Sequence, residues 1–437
     1  MPYKNLFPSL NSSNYKLFTI GQFISNIGFL IENIALSWLV YRLTDSAMYI
    51  GILVFIGQIT IFFTSPFSGI LADRFSRHKL LILTNIIAAF VSFILGLSVL
   101  FNVASLWFVF ATQIIVGFAR GIDNPIRNTF VNDLIDKPEH LVNAISFNSC
   151  IFNIAKIIGP SLAAILIPWA GEGICFILNS ISFISFIWLL YYIKLKPQEL
   201  NTKKTNVFYE IREGFNYSFN YSPIRSVIVF VSLIGLLAFS LYIVLPVYSK
   251  LILKGGADTY GYITMFSGIG ALAAALYLAA KKNALGFDFL IFIAGLIYSL
   301  GYMMLSFVSN FVFASIIMIF IGFGQVLLFA AASSILQTLT NEKMLGRVYG
   351  LYFMFFMACT TIGSLMVGKL TDLIGPSKTF LIISGLTFFL SMAYSTQIKH
   401  VRRKSFRRFI SLGIDPVALR KVKIVNGANK IRNFYVR

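Results

Sequence analysis

The feature that most limits the possible folds of this chain is a series of twelve long apolar segments separated by polar ones. A helix that crosses a hydrocarbon core of about 30 Å needs about 20 apolar residues. The segments approach or exceed that length, and lie at approximately 17–41, 50–71, 80–101, 106–126, 141–167, 176–192, 226–249, 260–280, 287–307, 311–336, 348–368 and 379–398. Only 12% of the residues are charged, against about 25% in an ordinary soluble domain. We therefore predict an all-α membrane protein with twelve transmembrane helices.

The distribution of Lys and Arg predicts the orientation of these helices. If the N-terminus is inside, the inner segments carry 29 of the 36 Lys and Arg residues and the outer loops carry five. Because Lys and Arg collect on the cytoplasmic side of a membrane protein, both termini are predicted to lie in the cytoplasm. The net charge of +20 is thus mainly a topology signal, and we expect no nucleic-acid partner.

The two halves of the chain repeat each other. Four features recur after 203 to 205 residues, and they are Gly117-Phe118 with Gly322-Phe323, Glu139 with Glu342, Gly159 with Gly363, and Gly171 with Gly375. Six spans, a connector and six further spans in the same orientation make a parallel repeat, related by an axis along the membrane normal. We therefore predict four parts of the chain. They are an N-terminal six-helix bundle at 1–193, a cytoplasmic connector with a surface helix at 194–225, a C-terminal six-helix bundle at 226–398 and a basic cytoplasmic tail at 399–437.

A charged segment between the second and third spans carries a recognisable motif. Residues 69–79 read GILADRFSRHK, and their charged groups cannot lie in hydrocarbon, so they predict a tight turn at the membrane surface. The pattern GxLADRxSRxK resembles the loop between the second and third helices of major facilitator superfamily transporters. The resemblance covers about 17–398 and implies two pseudo-symmetric six-helix bundles with a substrate site between them.

Further segments resemble one branch of that superfamily. They are 36–52, 133–148, 210–225 and 346–372, and they are similar to the exporters that include macrolide and enterobactin efflux proteins. The resemblance implies export by alternating access of the site to either side of the membrane.

Charged side chains inside the spans indicate the candidate site. Placing one at the bilayer centre costs at least about 2.5–3.5 kcal/mol of insertion free energy, so those that are present mark functional positions. Glu32 and Lys156 lie about 24 and 22 Å from the inner ends of their spans, at about 1.5 Å per residue. Their matching depth predicts an ion pair, with a role either in proton coupling or substrate binding, or in structure alone. Asn26, Asn33 and Asn153 share the polar faces of these two helices, and we include them in the site.

The fourth span adds a further polar face with Arg120 and Asp123, and Gln325 occupies the position of Arg120 in the second repeat. Arg127, on the same span, is expected near the inner surface at the level of Asp73. The family resemblance implies a contact between this loop and the fourth helix that acts as a closure latch. The predicted gating motif comprises Gly69, Asp73, Arg74, Arg77, Lys79 and Arg127.

These features predict a secondary active transporter rather than an enzyme. The predicted activity is export of small amphipathic molecules, such as a drug or a siderophore, by proton-coupled alternating access. The alternatives are import of a metabolite or movement of a lysolipid by the same fold, and more remotely a polytopic membrane enzyme or receptor. We expect a monomer in a bacterial inner membrane, with a small-molecule substrate, the proton as a coupling ion and anionic lipids at the basic inner face. No cofactor or metal is expected.

Overall fold

The structure is a computed structural model that describes residues 8–135, 140–193, 207–238, 240–281, 286–341 and 344–411. Over these residues the backbone is helical apart from short turns and contains no β-strand. The helices are α1 Ser13–Thr44, α2 Ala47–Arg74, α3 Arg77–Leu100, α4 Leu106–Leu134, α5 Leu141–Tyr191, α6 Val207–Asn220, α7 Ser222–Ala238, α8 Leu241–Leu251, α9 Ala257–Ala279, α10 Phe287–Phe307, α11 Phe311–Leu339, α12 Leu345–Ile374 and α13 Pro376–Ser411. A single 3-10 turn, Pro8–Asn11, precedes α1.

Eleven stretches of the described chain are long and apolar enough to cross a membrane. One of them, Asn143–Tyr191, has 49 residues, which would be about 74 Å long as a straight helix. Gly171 breaks it, with φ 79° and ψ 170°, a conformation that is essentially restricted to glycine. The break divides α5 into two limbs, 141–170 and 172–191, and the twelve predicted spans are therefore present.

Gly375 makes the equivalent break in the second half of the chain. Its φ of 84° and ψ of 164° separate α12 from α13, as Gly171 separates the two limbs of α5. The predicted repeat is confirmed at this turn, because the same glycine geometry joins the fifth and sixth spans of each half.

Several boundaries differ from the sequence-based predictions. The seventh predicted span is divided between α7 and α8, and α13 continues past residue 398 to Ser411. Helix α6 covers the predicted surface helix, but it also packs on α12, where Arg347 Nη1 donates to Glu213 Oε2 at 2.5 Å and the ring of Phe219 lies 5.5 Å from that of Phe355. Residues 412–437 of the predicted tail lie outside the described residues.

The first five helices form one bundle and α7 to α13 form the other, and the bundles meet where α5 packs on α9 and α2 packs on α12. Aromatic side chains pack inside the first bundle, where the ring of Phe18 lies between those of Phe130 at 5.6 Å and Phe186 at 5.7 Å.

The turns between the helices lie at two opposite ends of the molecule. The basic end holds the start of α1 and the Phe75–Ser76 turn, and the opposite end holds Gly171 and Gly375.

Candidate functional site

Glu32 lies inside the first bundle, where α1 meets α3 and the second limb of α5. Its side chain is almost fully buried, at 4% exposure. Oε2 accepts hydrogen bonds from Ser92 Oγ at 2.7 Å and from Asn179 Nδ2. A buried carboxylate is costly unless it is hydrogen-bonded or paired, and these two donors, one from each neighbouring helix, supply part of that compensation.

Arg120 supplies the positive charge that acts on Glu32. Its guanidinium lies 3.5 Å above the ring centroid of Phe29, a cation–π contact within the usual range of 6 Å. From this position on α4 it attracts the carboxylates of both Glu32 and Asp123. The first bundle therefore holds a line of alternating charges between α1 and α4.

Asp123 continues that line toward the basic end. Its Oδ1 accepts hydrogen bonds from Thr84 Oγ1 at 2.9 Å and Asn85 Nδ2 at 2.8 Å, and its Oδ2 accepts one from Arg127 Nε at 2.6 Å. Arg127 Nη2 also donates to Asn85 Oδ1 at 3.2 Å, and its guanidinium lies 4.5 Å from the ring centroid of Phe186. The network fastens α4 to α3.

The predicted ion pair between Glu32 and Lys156 is wrong. The Lys156 ammonium lies 5.1 Å from the ring centroid of Phe152 and forms no ion pair with any described residue. The predicted match in depth is also wrong: Tyr15 contacts Ala144 and Leu30 contacts Gly159, an offset of 129 residues that sets Lys156 level with Ile27, about 8 Å nearer the basic end than Glu32. The two residues also face different neighbours. Glu32 points at the second limb of α5, whereas the first limb, which carries Lys156, packs against the Leu30 side of α1, about 200° around the helix.

The turn predicted between the second and third spans is confirmed, since only Phe75 and Ser76 separate α2 from α3. Arg77 Nη1 donates to both carboxylate oxygens of Asp133 at 3.1 Å, which ties this turn to the end of α4. Arg74 and Lys79 are exposed.

The predicted latch between Asp73 and Arg127 stays a prediction. The side chain of Asp73 lies outside the described residues, although its backbone belongs to α2. The described partners of Arg127 are Asp123 and Asn85, which hold its guanidinium beside α3. Gly69 lies in the last turns of α2, and a Cβ atom added there would have no other atom within 4 Å.

The remaining predicted residues do not join the charged network of the first bundle. Asn26 is half-buried and Asn33 is exposed on α1. Asn153 Nδ2 donates to the Ser149 carbonyl of its own helix at 2.9 Å. Gln325 Oε1 accepts a hydrogen bond from Tyr242 of the same bundle at 3.3 Å, so the second bundle places a neutral pair where the first has Arg120.

Four partners of the charged network were not predicted, and they are Thr84, Asn85, Ser92 and Asn179. All are neutral polar residues inside apolar spans, and all are buried. The available signal was the spacing of Asn85 and Ser92, which are seven residues apart on one face of α3. Among the described residues no group of three or more His, Cys, Asp or Glu side chains offers a metal site.

Comparison with known proteins matches residues 5–411 to the family model described as transmembrane secretion effector. The chain is 23% identical over 385 residues to the staphyloferrin A transporter of Staphylococcus aureus, covering 87% of this chain and 95% of that protein. It is 22% identical to the multidrug efflux pump Tap of Mycolicibacterium fortuitum, covering 81% and 88% of the two chains.

Among solved structures, the nucleoside transporter NupG superposes with a TM-score of 0.71 at 15% identity, covering 89% of this chain and 99% of that one. This likeness concerns the fold alone. The family match spans nearly the whole chain, and its relatives are major facilitator transporters. The chain therefore belongs to the transmembrane secretion effector family of the major facilitator superfamily.

Proposed function

We propose that this protein exports small amphipathic molecules, of the drug or siderophore kind, from the bacterial cytoplasm by proton-coupled alternating access. Relatives whose names state a function include the staphyloferrin A transporter, the multidrug efflux pump Tap and macrolide efflux protein A. The excess of Lys and Arg at the basic end supports a cytoplasmic location for that end and for both termini.

The observation that carries the proposal is the divergence of α2 and α12 along the interface between the bundles. At the opposite end Gly51 of α2 packs on the Ser364 carbonyl of α12, and Gly368 packs on the Ala47 carbonyl. Gly69 of α2 and Gly346 of α12 lie five turns further along the same helix faces, at about 3.6 residues per turn. A Cβ atom added to either glycine would have no other atom within 4 Å. The bundles are therefore together at the opposite end and apart at the basic end.

Polar contacts between the bundles strengthen the closed end. Asp372, in the last turn of α12, accepts hydrogen bonds from the backbone N–H groups of Ala47 at 2.7 Å and Met48 at 3.0 Å and from the Ser46 hydroxyl. A carboxylate at a helix N-terminus is favoured by the helix dipole. Lys250 also donates to Asp45 at 2.7 Å. This arrangement corresponds to the state of a carrier that is open to the cytoplasm and closed to the outside.

Glu32 is the proposed coupling residue. Adding a proton to its carboxylate would remove the charge that attracts Arg120 of α4 and alter its hydrogen bonds to α3 and α5. Protonation therefore changes the packing of four helices at once, and a coupling ion can act only through such a difference between two states.

The experiment is transport of a fluorescent dye panel by the full chain in proteoliposomes of known orientation, with and without a pH gradient. Export from the basic end that is accelerated by an opposing proton gradient is the expected result. Movement toward the basic end, driven by the same gradient, would instead establish import. Identical movement with and without the gradient would remove proton coupling and leave the transporter assignment in place.

A further inference from the structure

Lys156 differs from the other charged groups inside the first bundle because no described residue supplies its countercharge. Glu32 and Asp123 each have hydrogen-bond donors, and Arg120 is attracted by both of these carboxylates. The Lys156 ammonium contacts the ring of Phe152, at 5.1 Å from its centroid, and the ring carries no net charge. An uncompensated cation in the middle of a membrane protein is costly and marks a functional site.

The helix geometry directs Lys156 into the space between the bundles. The first limb of α5 packs on α1 through Gly159, beside Leu30, and on α9 through Ala164, beside Gly261, and through the Lys156 backbone, beside Gly268. At about 100° per residue, Lys156 lies about 60° from Gly159 and about 80° from Ala164, between the two packed faces. The side chain therefore leaves α5 near the junction of α1 and α9, where it is only partly buried and reaches the ring of Phe152.

The second bundle brings no carboxylate to this depth in the part of the chain that the structure describes. Asp258 and Asp372 lie at the opposite end, near the start of α9 and the end of α12, and Asp288 lies in the first turn of α10 at the basic end. When the basic end closes, Lys156 loses water and meets no protein anion. A bound anion would remove that penalty, because a paired charge is far less costly to bury than an isolated one.

We propose that the exported molecule is an organic anion and that Lys156 binds its carboxylate or other acidic group. The half-exposed ring of Phe152, one turn nearer the basic end, gives an apolar surface for the rest of an amphipathic molecule. This inference rests on the proposed function and adds the charge of the substrate and the residue that recognises it.

The test uses two dyes that share a xanthene ring system, the dianion fluorescein and the cation tetramethylrhodamine methyl ester. Export of each is measured in proteoliposomes that contain the full chain. We expect the wild type to prefer fluorescein and Lys156→Gln to export it about 10- to 100-fold more slowly, the effect of removing a charge-assisted hydrogen bond. Lys156→Arg should restore most of the rate, and Lys156→Glu should reverse the preference between the dyes.

Lys281→Gln is the matched control, because Lys281 also lies over an aromatic ring, 5.2 Å from the centroid of Tyr277, but just beyond the end of α9. It should export fluorescein at the wild-type rate. A wild type that prefers the cation, or a Lys156→Gln protein that keeps the fluorescein rate, would overturn the inference while the export function stands. Export of neither dye would count against the proposed function itself, and this inference would fall with it.

Discussion

The two bundles come from one repeated unit, yet their interiors differ in charge. In the first, Glu32, Arg120 and Asp123 place alternating charges across α1 and α4. In the second, the described contacts in the middle of the spans are neutral, as between Tyr242 and Gln325 at 3.3 Å and between the Tyr302 hydroxyl and the Ala238 carbonyl, and the buried carboxylate of Asp288 lies at the basic end, in the first turn of α10. An identical fold therefore does not require an identical interior, and the described charges in the middle of the spans are concentrated in the first bundle.

This asymmetry also suggests a division of labour. A group that gains or loses a proton in a low-dielectric interior changes the energy of its surroundings far more than a neutral hydrogen bond does. The proposed coupling through Glu32 therefore belongs to the first bundle.

Glu32→Gln should abolish gradient-driven export while substrate binding is retained. Glutamine keeps the size of the side chain and can still accept the hydrogen bond from Ser92, but it cannot take up a proton. The measurement is dye export with and without a pH gradient, with Gln325→Ala in the second bundle as the comparison. If Glu32→Gln still responds to the gradient as the wild type does, the charged network of the first bundle is structural.

Asp123→Asn should destabilise the first bundle by about 3–5 kcal/mol, because it leaves Arg127 without the charged partner of a buried pair. Thermal unfolding of the purified protein would show this as a lower midpoint. Asp258→Asn is the control from the second bundle, where the exposed carboxylate accepts the Gly256 N–H at 3.1 Å and forms no ion pair with a described residue. Equal midpoints for the two variants would show that the Asp123 pair contributes little.

Asp73→Asn and Arg127→Ala should each slow transport without preventing membrane insertion, as a latch between this turn and α4 requires. The double variant should be less impaired than the sum of the single effects, since removal of one partner already breaks the pair. Transport rates normalised to protein abundance give this comparison. Fully additive effects would mean that Arg127 acts through Asp123 and Asn85 alone.

Tyr242→Phe should have the smallest effect, a reduction of transport by about tenfold or less. It removes one neutral hydrogen bond to Gln325, which contributes about 0.5–1.5 kcal/mol. The dependence of export on the pH gradient should stay as in the wild type. A change in that dependence would place part of the coupling in the second bundle, and would contradict its assignment to the first bundle alone.

Counting residues along the chain was sufficient to predict the number of spans, the turn at Phe75–Ser76 and the equivalence of Gly171 and Gly375. Each of these follows from local properties, namely the length of an apolar segment, the cost of charge in hydrocarbon and a backbone conformation that only glycine adopts easily. The relative depth of Glu32 and Lys156 was not predictable in this way, because it depends on how far α1 and α5 are offset along their axes.

The partners of the buried charges did not follow from depth. The packing of α1 turns Glu32 toward Ser92 and Asn179, whereas Lys156 lies about one and a half turns nearer the basic end, beside Phe152. Likewise, no local pattern indicates that α2 and α12 touch at Gly51 and separate by Gly69. Rotation of a helix about its axis and the tilt between two bundles depend on contacts between residues that are far apart in the chain, and these arise only when all the helices pack together.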